Sequence, residues 1–364
     1  MRVGTPKEVK NREFRVGLTP DGAHELIHAG HEVTIETQAG AGIGFSDQDY
    51  LAVGCRIAPD AESLFAGADL IVKVKEPQPA EIARLTPEHT LFTYLHLAPD
   101  PEQTRALMAS GATCIAYETV TDVHGRLPLL TPMSEVAGRL SIQAGIRFLE
   151  ISGGGSGVLL GGVTGVAPAK VVVIGGGVSG HNAAQMALGL GAQVTVLDRS
   201  MDRLRELGDL YGGRITALYS SKAVIDALLK DADLVVGAVL APGAAAPKVV
   251  SRAQVATMKP GSVIVDIAID QGGCFETSRP TTHDEPTYLA EGVRHYCVTN
   301  MPAAVARTAT QALTTATLPF VLALANKGAT RAMADDPHLA AGLNVAGGRI
   351  VHPEVAHAMK GILI

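Results

Sequence analysis

Residues 170–200, KVVVIGGGVSGHNAAQMALGLGAQVTVLDRS, constrain the fold more than any other stretch. Val171 to Ile174 is a short apolar run of the kind that forms a strand buried on both faces. Gly175, Gly177 and Gly180 follow in G-x-G-x-x-G spacing. A helix-compatible segment, His181 to Leu190, leads to a second β-branched strand, Val194 to Leu197, which ends in Asp198. The first glycine allows a tight turn, the second lets backbone approach a pyrophosphate, and the third lets the helix pack close to its strand. The helix N-terminus offers N–H groups to phosphate. Asp198 stands where a carboxylate can hold two ribose hydroxyls. A glycine turn alone is weak evidence, but with strand, helix and acid in register the unit predicts NAD binding.

A chain of 364 residues is long for one core, so two domains are expected. Charged residues are only 18% and hydrophobic residues 47%, as parallel strands covered by helices on both faces require. Trp is absent and the net charge is −6, which argues against a nucleic-acid surface or an anionic-membrane surface. The most continuous apolar stretch, Val158 to Gly177, is broken by Pro168 and Lys170 and does not read as a membrane span. MRVGTPKE lacks the apolar core of a secretory signal. Cys55, Cys114, Cys274 and Cys297 lack metal-ligand spacing, so free thiols, no metal and a cytoplasmic location are expected.

Strands are predicted at Arg2–Thr5, Glu32–Glu36, Leu70–Lys75, Thr90–His96 and Thr113–Thr119. Helices are predicted at Asp21–Ala29 (with Asp21 as N-cap), Ala61–Ala66, Pro79–Leu85 and Pro101–Ser110. A long helical run, Met133–Ile151, precedes the dinucleotide unit. Further strands are expected at Ile215–Leu218, Leu234–Val239, Ser262–Ile267 and His295–Val298, then a helix at Ala309–Asn326. The fold class expected is α/β: two doubly wound, Rossmann-like parallel-sheet domains with a cleft between them. Residues 1–130 with 305–364 would form the substrate domain, and residues 131–304 the NAD domain.

Ligands bind beyond the carboxyl ends of strands in such sheets. Lys73, Lys75, His96 and Glu118 lie near strand ends in the first part, Asp266 and Asp270 in the second, and Arg15 in a polar segment after the first strand. Period-two alternation places Val72 and Val74 on one face and both lysines on the other. Each residue also has a plain reading: a hydrogen-bonded core histidine, a solvated lysine, a capping acid.

The segments MRVGTPKEVKNREFRVGLTP, ADLIVKVKEP, LFTYLHLAPD, IAYETV, LPLLTPMSEVAGRLS, ADLVVGAVLAPGAAAPK, VDIAIDQGGCFETSRPTTHDEPTY and CVTNMPAAV together resemble the bacterial L-alanine dehydrogenase family (alanine dehydrogenase and transhydrogenase NAD-binding subunit) almost from end to end. The resemblance implies that Arg15 and Lys75 hold a substrate carboxylate and that His96 and Asp270 are the catalytic pair. It also implies cofactor contacts from Ser134, Gly175, Gly177, Val178, Ser179 and Gly180. Asp198 with Arg203 would serve the adenosine end, and Ser220 would follow. Val239, Leu240, Ile267, Ala268, Ile269, Asp270, Arg279, Val298, Thr299, Asn300 and Met301 would serve the remainder. The implied reaction is reversible NAD-dependent deamination of L-alanine to pyruvate and ammonium, in a homohexamer, with Glu118 organising the lysine side of the pocket. The alternatives are a transhydrogenase-type NAD(H)-binding component and an opine- or saccharopine-like dehydrogenase. The chain departs from the family at Ser156, Thr164, Arg199 and Ala306. Loss of a cation at Ser156 would weaken cofactor binding, loss of proline near the hinge would loosen closure, and Arg199 would soften discrimination against a 2′-phosphate.

Overall fold

The computed structural model describes residues 1–239 and 246–362. In chain order the strands are β1 (Arg2–Thr5), β2 (Glu32–Glu36), β3 (Arg56–Ala58), β4 (Leu70–Val72), β5 (Thr90–Thr93), β6 (Thr113–Ala116), β7 (Lys170–Ile174), β8 (Gln193–Asp198), β9 (Ile215–Tyr219), β10 (Leu234–Gly237), β11 (Val263–Asp266), β12 (Thr287–Ala290), β13 (Val293–Tyr296), β14 (Leu343–Ala346) and β15 (Arg349–Ile350). The chain divides into two compact units, Met1–Met133 together with the segment from Val305 onward, and Ser134–Ala304.

The sheet of the first unit runs β15-β14-β6-β5-β4-β1-β2-β3. Its six strands from β6 to β3 are parallel, and the β14–β15 hairpin closes one edge antiparallel to β6. The strand order reverses at β1, which pairs with β2 on one side and β4 on the other, and that is where such sheets open a crevice. The helix Pro20–His28 covers β2 and is capped by Thr19, whose hydroxyl accepts from Gly22 N at 3.3 Å. Asp21, expected as the cap, instead sits in the first turn, where its charge favours the helix dipole.

The C-terminal helical segment of this unit is longer than expected. It spans Ala306–Asp335, with Gly328 out of helical geometry. The stretch Met301–Asp335 is long and apolar enough to cross a membrane by length and composition. Its buried residues, among them Ala309, Leu313, Val321 and Leu324, pack toward β4 and the helix Pro20–His28.

The second unit repeats the plan. Its sheet runs β12-β13-β11-β10-β7-β8-β9, parallel except for edge strand β12. The order reverses at β7, which lies between β10 and β8. The strand expected at His295–Val298 begins two residues earlier, at Val293, because Gly292 turns the β12–β13 hairpin there with φ +73°. That antiparallel hairpin carries no period-two signal strong enough to announce it.

The expected strand Leu70–Lys75 keeps only Leu70–Val72, and the reason is electrostatic. Lys73 is fully buried and its ammonium lies between two buried carboxylates, Glu8 at 3.1 Å and Glu81 at 2.6 Å. Glu8 also accepts from the backbone N–H groups of Val74 at 2.7 Å and Lys75 at 3.3 Å, taking donors that a regular strand would pair, while the Val74 carbonyl still accepts from Tyr94 N at 3.3 Å. The plain reading of Lys73 as a solvated strand cap is therefore wrong. Burial pulls the lysine pKa down, but Glu8 and Glu81 hold it above its ordinary value. Burial pushes the Glu8 carboxyl up in spite of Lys73.

Lys73→Met removes the countercharge shared by two buried acids, leaving them with backbone N–H donors, and is expected to cost about 3–5 kcal/mol at pH 8. Since Glu8 titrates above its unfolded value, protonation favours the folded form, so the loss shrinks as pH falls toward 5. Urea unfolding of both proteins at pH 5 and pH 8 checks this; an equal loss at both would remove the charge argument.

Candidate functional site

In the first unit, three expected site residues follow the carboxyl ends of neighbouring strands: Arg15 beyond β1, Lys75 beyond β4 and His96 beyond β5. The Arg15 segment reaches this edge by running over β4. A Cβ on Gly17 would lie 2.4 Å from the Val72 carbonyl oxygen, so only glycine permits the approach. The Arg15 side chain is 2% exposed. Its Nε and Nη2 donate to the two oxygens of Glu13 at 2.7 and 2.6 Å, and its Nη1 points to the Met133 sulfur at 3.1 Å. Lys75 is mostly buried, with its ammonium 3.3 Å from Glu76 and its carbonyl accepting from the Thr93 hydroxyl.

His96 is exposed and has φ +50°, a conformation that costs a non-glycine residue. Two contacts hold it there. Its backbone N–H donates to Glu118 Oε1 at 2.6 Å, and its ring stacks on Tyr94 at 5.7 Å with only 4° between planes. Tyr94 is anchored in turn by donating to the Leu129 carbonyl at 2.6 Å. Glu118 also accepts from Leu95 N, while its oxygen stays 3.7 Å from His96 Nδ1, too long for a hydrogen bond. Glu118 thus organises the histidine side of this edge, and the expectation that it serves the lysine side is corrected.

The second unit gathers the glycine turn and the other strand ends. Gly175 has φ +103°, and a Cβ there would lie 2.5 Å from the Ala238 carbonyl oxygen. At Gly180 a Cβ would lie 1.7 Å from the Gly175 oxygen, so the helix and strand can pack only with glycine. Gly177 differs: a Cβ there meets nothing within 4 Å, so the protein itself makes no demand at this position. The helix begins at Val178, three residues earlier than expected, which places Val178, Ser179 and Gly180 in its first turn. No side chain caps that turn, leaving its N–H groups directed at the space beside Gly177. That donor set and that clearance fit the pyrophosphate of a dinucleotide.

Asp198 ends β8 and accepts from Gly176 N at 2.7 Å and Ser200 N at 2.8 Å. Arg203 Nε donates to the Gly176 carbonyl at 2.6 Å, and Ser220 N donates to the Asp198 carbonyl at 2.8 Å. Val239 follows β10 beside the Gly175 turn, and Leu240 lies outside the described residues. Ile267, Ala268, Ile269 and Asp270 form a 3-10 turn after β11. Buried Asp266 organises it, accepting from Ala268 N, Cys274 N and the Ser278 hydroxyl. Asp270 is exposed and accepts from Asn300 N at 3.3 Å, which draws the Val298–Met301 segment to the same strand-end edge. Arg279 lies over the Tyr288 ring at 4.1 Å. Ser134 belongs to this unit, in a helix whose Gly138 would meet the Ser179 carbonyl at 2.2 Å if it bore a Cβ.

Ser156 is placed otherwise than expected. Its N–H donates to the Gly261 carbonyl, just before β11, which is the amino edge of the sheet and the opposite end from the glycine turn. A side-chain change there does not reach the dinucleotide edge. Glu8, Glu13, Tyr94 and Met133 escaped the sequence reading. Of these, Glu8 and Glu13 had a signal: each is an acid within a polar run that carries Arg15 past a strand end. Among the described residues no cluster of three or more His, Cys, Asp or Glu side chains could hold a metal.

A glycine-turn unit joined to a second α/β unit whose strand ends gather Arg, Lys and His has the build of a dinucleotide-dependent dehydrogenase. The chain belongs to the alanine dehydrogenase/PNT family: the N-terminal domain of that family matches residues 4–137 and the C-terminal domain residues 141–353. It is 60% identical to the alanine dehydrogenase of Halomonas elongata, over 98% of this chain and 96% of that one. A solved L-alanine dehydrogenase structure superposes with TM-score 0.96 at 54% identity, covering 99% of both chains. The transhydrogenase structure from Sinorhizobium meliloti superposes with TM-score 0.83 at 25% identity, over 97% of this chain and 99% of that one.

The two glycines should separate cleanly on substitution. Gly180→Ala forces overlap with backbone and is expected to cost about 3 kcal/mol. Gly177→Ala meets open space and should stay within about 1 kcal/mol of the parent. Thermal unfolding of both variants checks the contrast.

Proposed function

We propose that this protein catalyses the reversible oxidative deamination of L-alanine to pyruvate and ammonium, with NAD as its cofactor. One observation carries the reading. Arg15, Lys75 and His96 gather past adjacent strand ends of one sheet, in a chain that follows alanine dehydrogenases over nearly its whole length. The unit of residues 1–130 with 305–364 acts as the substrate domain and residues 131–304 as the NAD domain.

Bound NAD supplies the two-electron oxidant, accepting a hydrogen with its electron pair from the alanine Cα. The protein does the rest. Arg15 and Lys75 fix the carboxylate at two points, the guanidinium meeting it through Nη1 in place of the weakly accepting Met133 sulfur. Glu13 holds the other edge of Arg15, so the cation arrives pre-aimed. His96 removes a proton from the substrate ammonium, freeing the nitrogen lone pair that drives Cα oxidation. After oxidation the substrate is an iminium. His96, having passed that first proton to solvent, takes a proton from the water that adds to it and returns it to nitrogen as the carbinolamine releases ammonia. Asp270 stabilises the cationic iminium and orients that water. Tyr94 and Glu118 act through His96 by fixing its ring and backbone.

For the cofactor, Gly175, Gly177, Val178, Ser179 and Gly180 cradle the pyrophosphate. Asp198 and Arg203 take the adenosine end, with Ser220 next to follow. Ser134, Val239, Ile267, Ala268, Ile269, Asp270, Arg279, Val298, Thr299, Asn300 and Met301 line the rest. The protein works in the cytoplasm as a homohexamer. Large apolar side chains exposed along one stretch of the second unit (Ile151, Leu159, Val163 and Val166) support an assembled state, which would take them out of water.

The deciding experiment follows NADH oxidation at 340 nm with pyruvate and ammonium. Turnover dependent on both substrates is expected; firm NADH binding without turnover would favour a transhydrogenase-type component instead. His96→Ala should lower kcat by about 10²–10⁴-fold while leaving NADH affinity within about threefold. Residual activity near wild type would remove His96 as the acid–base group. Light scattering should return the mass of six 37.7 kDa chains, and a monomer would refute the assembly.

A further inference from the structure

The carboxyl end of β8 carries one cation with nothing to do. Asp198 is well occupied: each of its oxygens takes a backbone N–H, Gly176 N at 2.7 Å and Ser200 N at 2.8 Å. Arg203 is tied to the Gly176 carbonyl and to Glu206, and Arg205 is tied to Asp202. Arg199, between Asp198 and Ser200, is exposed and has no hydrogen bond or ion pair among the described residues. Two helices also begin at this end of the sheet, Met201–Tyr211 capped by Ser200 and Lys222–Leu229 capped by Ser221, and their dipoles add positive potential.

These groups set how the site treats the ribose 2′ position. A carboxylate after the second strand of such a unit favours a free 2′-hydroxyl and repels a 2′-phosphate, whereas an arginine nearby accommodates the phosphate. Most sites have one or the other. Here both stand side by side, and the carboxylate is softened by two N–H donors while the guanidinium is uncommitted. We propose that the protein binds NADP(H) as well as NAD(H), with Arg199 holding the 2′-phosphate. The proposal rests on seating the adenosine ribose at Asp198. It assigns Arg199 no part in NAD(H) binding, since a ribose hydroxyl gives a cation nothing to pair with.

The test is direct binding, read from the fluorescence of the reduced nicotinamide, with NADH and NADPH titrated into wild type and Arg199→Ala. Arg199 is exposed, so the variant should fold as the parent does. At low salt the wild type should bind NADPH within about thirtyfold of NADH. Arg199→Ala should weaken NADPH about tenfold and move NADH by less than about twofold. Added KCl should weaken NADPH more steeply than NADH, because the extra contact is an exposed ion pair. An equal shift of both nucleotides in Arg199→Ala, or no shift, would overturn the proposal. So would firm NADH binding with no NADPH binding at millimolar concentration. Failure of the wild type to bind NADH at all would instead strike the ribose placement, and this inference with it.

Discussion

The first unit depends on one buried ammonium. Lys73 lies between Glu8 and Glu81 in the place where β1 and β4 end, and Glu8 then takes the N–H groups of the next two residues of the chain. The consequence is a backbone that leaves the sheet at a fixed point, turning Lys75 toward the strand-end edge. Removing two carboxylates from water is expensive, and the shared cation together with backbone N–H donors makes it tolerable. An apolar core would be cheaper there, so the network is better understood as fixing geometry than as adding stability.

The same logic of borrowed acceptors recurs at other strand ends. Glu118 takes the N–H groups of Leu95 and His96 after β5, Asp198 takes those of Gly176 after β7 and Ser200 after β8, and Asp266 takes those of Ala268 and Cys274 after β11. In each case a carboxylate satisfies backbone donors that the sheet no longer pairs. Each acid therefore shapes a strand-end loop, its own or a neighbour's, and those loops carry the residues proposed for chemistry. Two sheets with the same reversal of strand order thus present their strand-end loops by the same device.

Much of this was legible in the chain. The glycine spacing, its flanking strands and Asp198 needed only local periodicity, and they place the turn where the structure has it. Strand ends marked Arg15, Lys75, His96 and Asp270 as residues of interest, and the family resemblance supplied their roles. What could not be read locally were the partners. Glu8 meets Lys73 across 65 positions, Glu118 meets His96 across 22, and nothing in either segment alone announces the pairing. Alternation put both lysines on one face because it assumes a regular strand that continues; Glu8 takes the N–H groups of Val74 and Lys75 instead. The β12–β13 hairpin was missed for a related reason, since Thr287–Ala290 is an edge strand with no buried side chain.

The backbone at His96 has a consequence of its own. At φ +50° glycine would fit this position with less strain than histidine does, and so would an asparagine. Position 96 is therefore one where the fold and the proposed chemistry want different residues. Any procedure that ranks substitutions by thermal tolerance alone would tend to favour an inactive protein here. The stacked Tyr94 ring and the Glu118 carboxylate are what keep the less comfortable residue in place, and they would be spared that work the moment the histidine was lost.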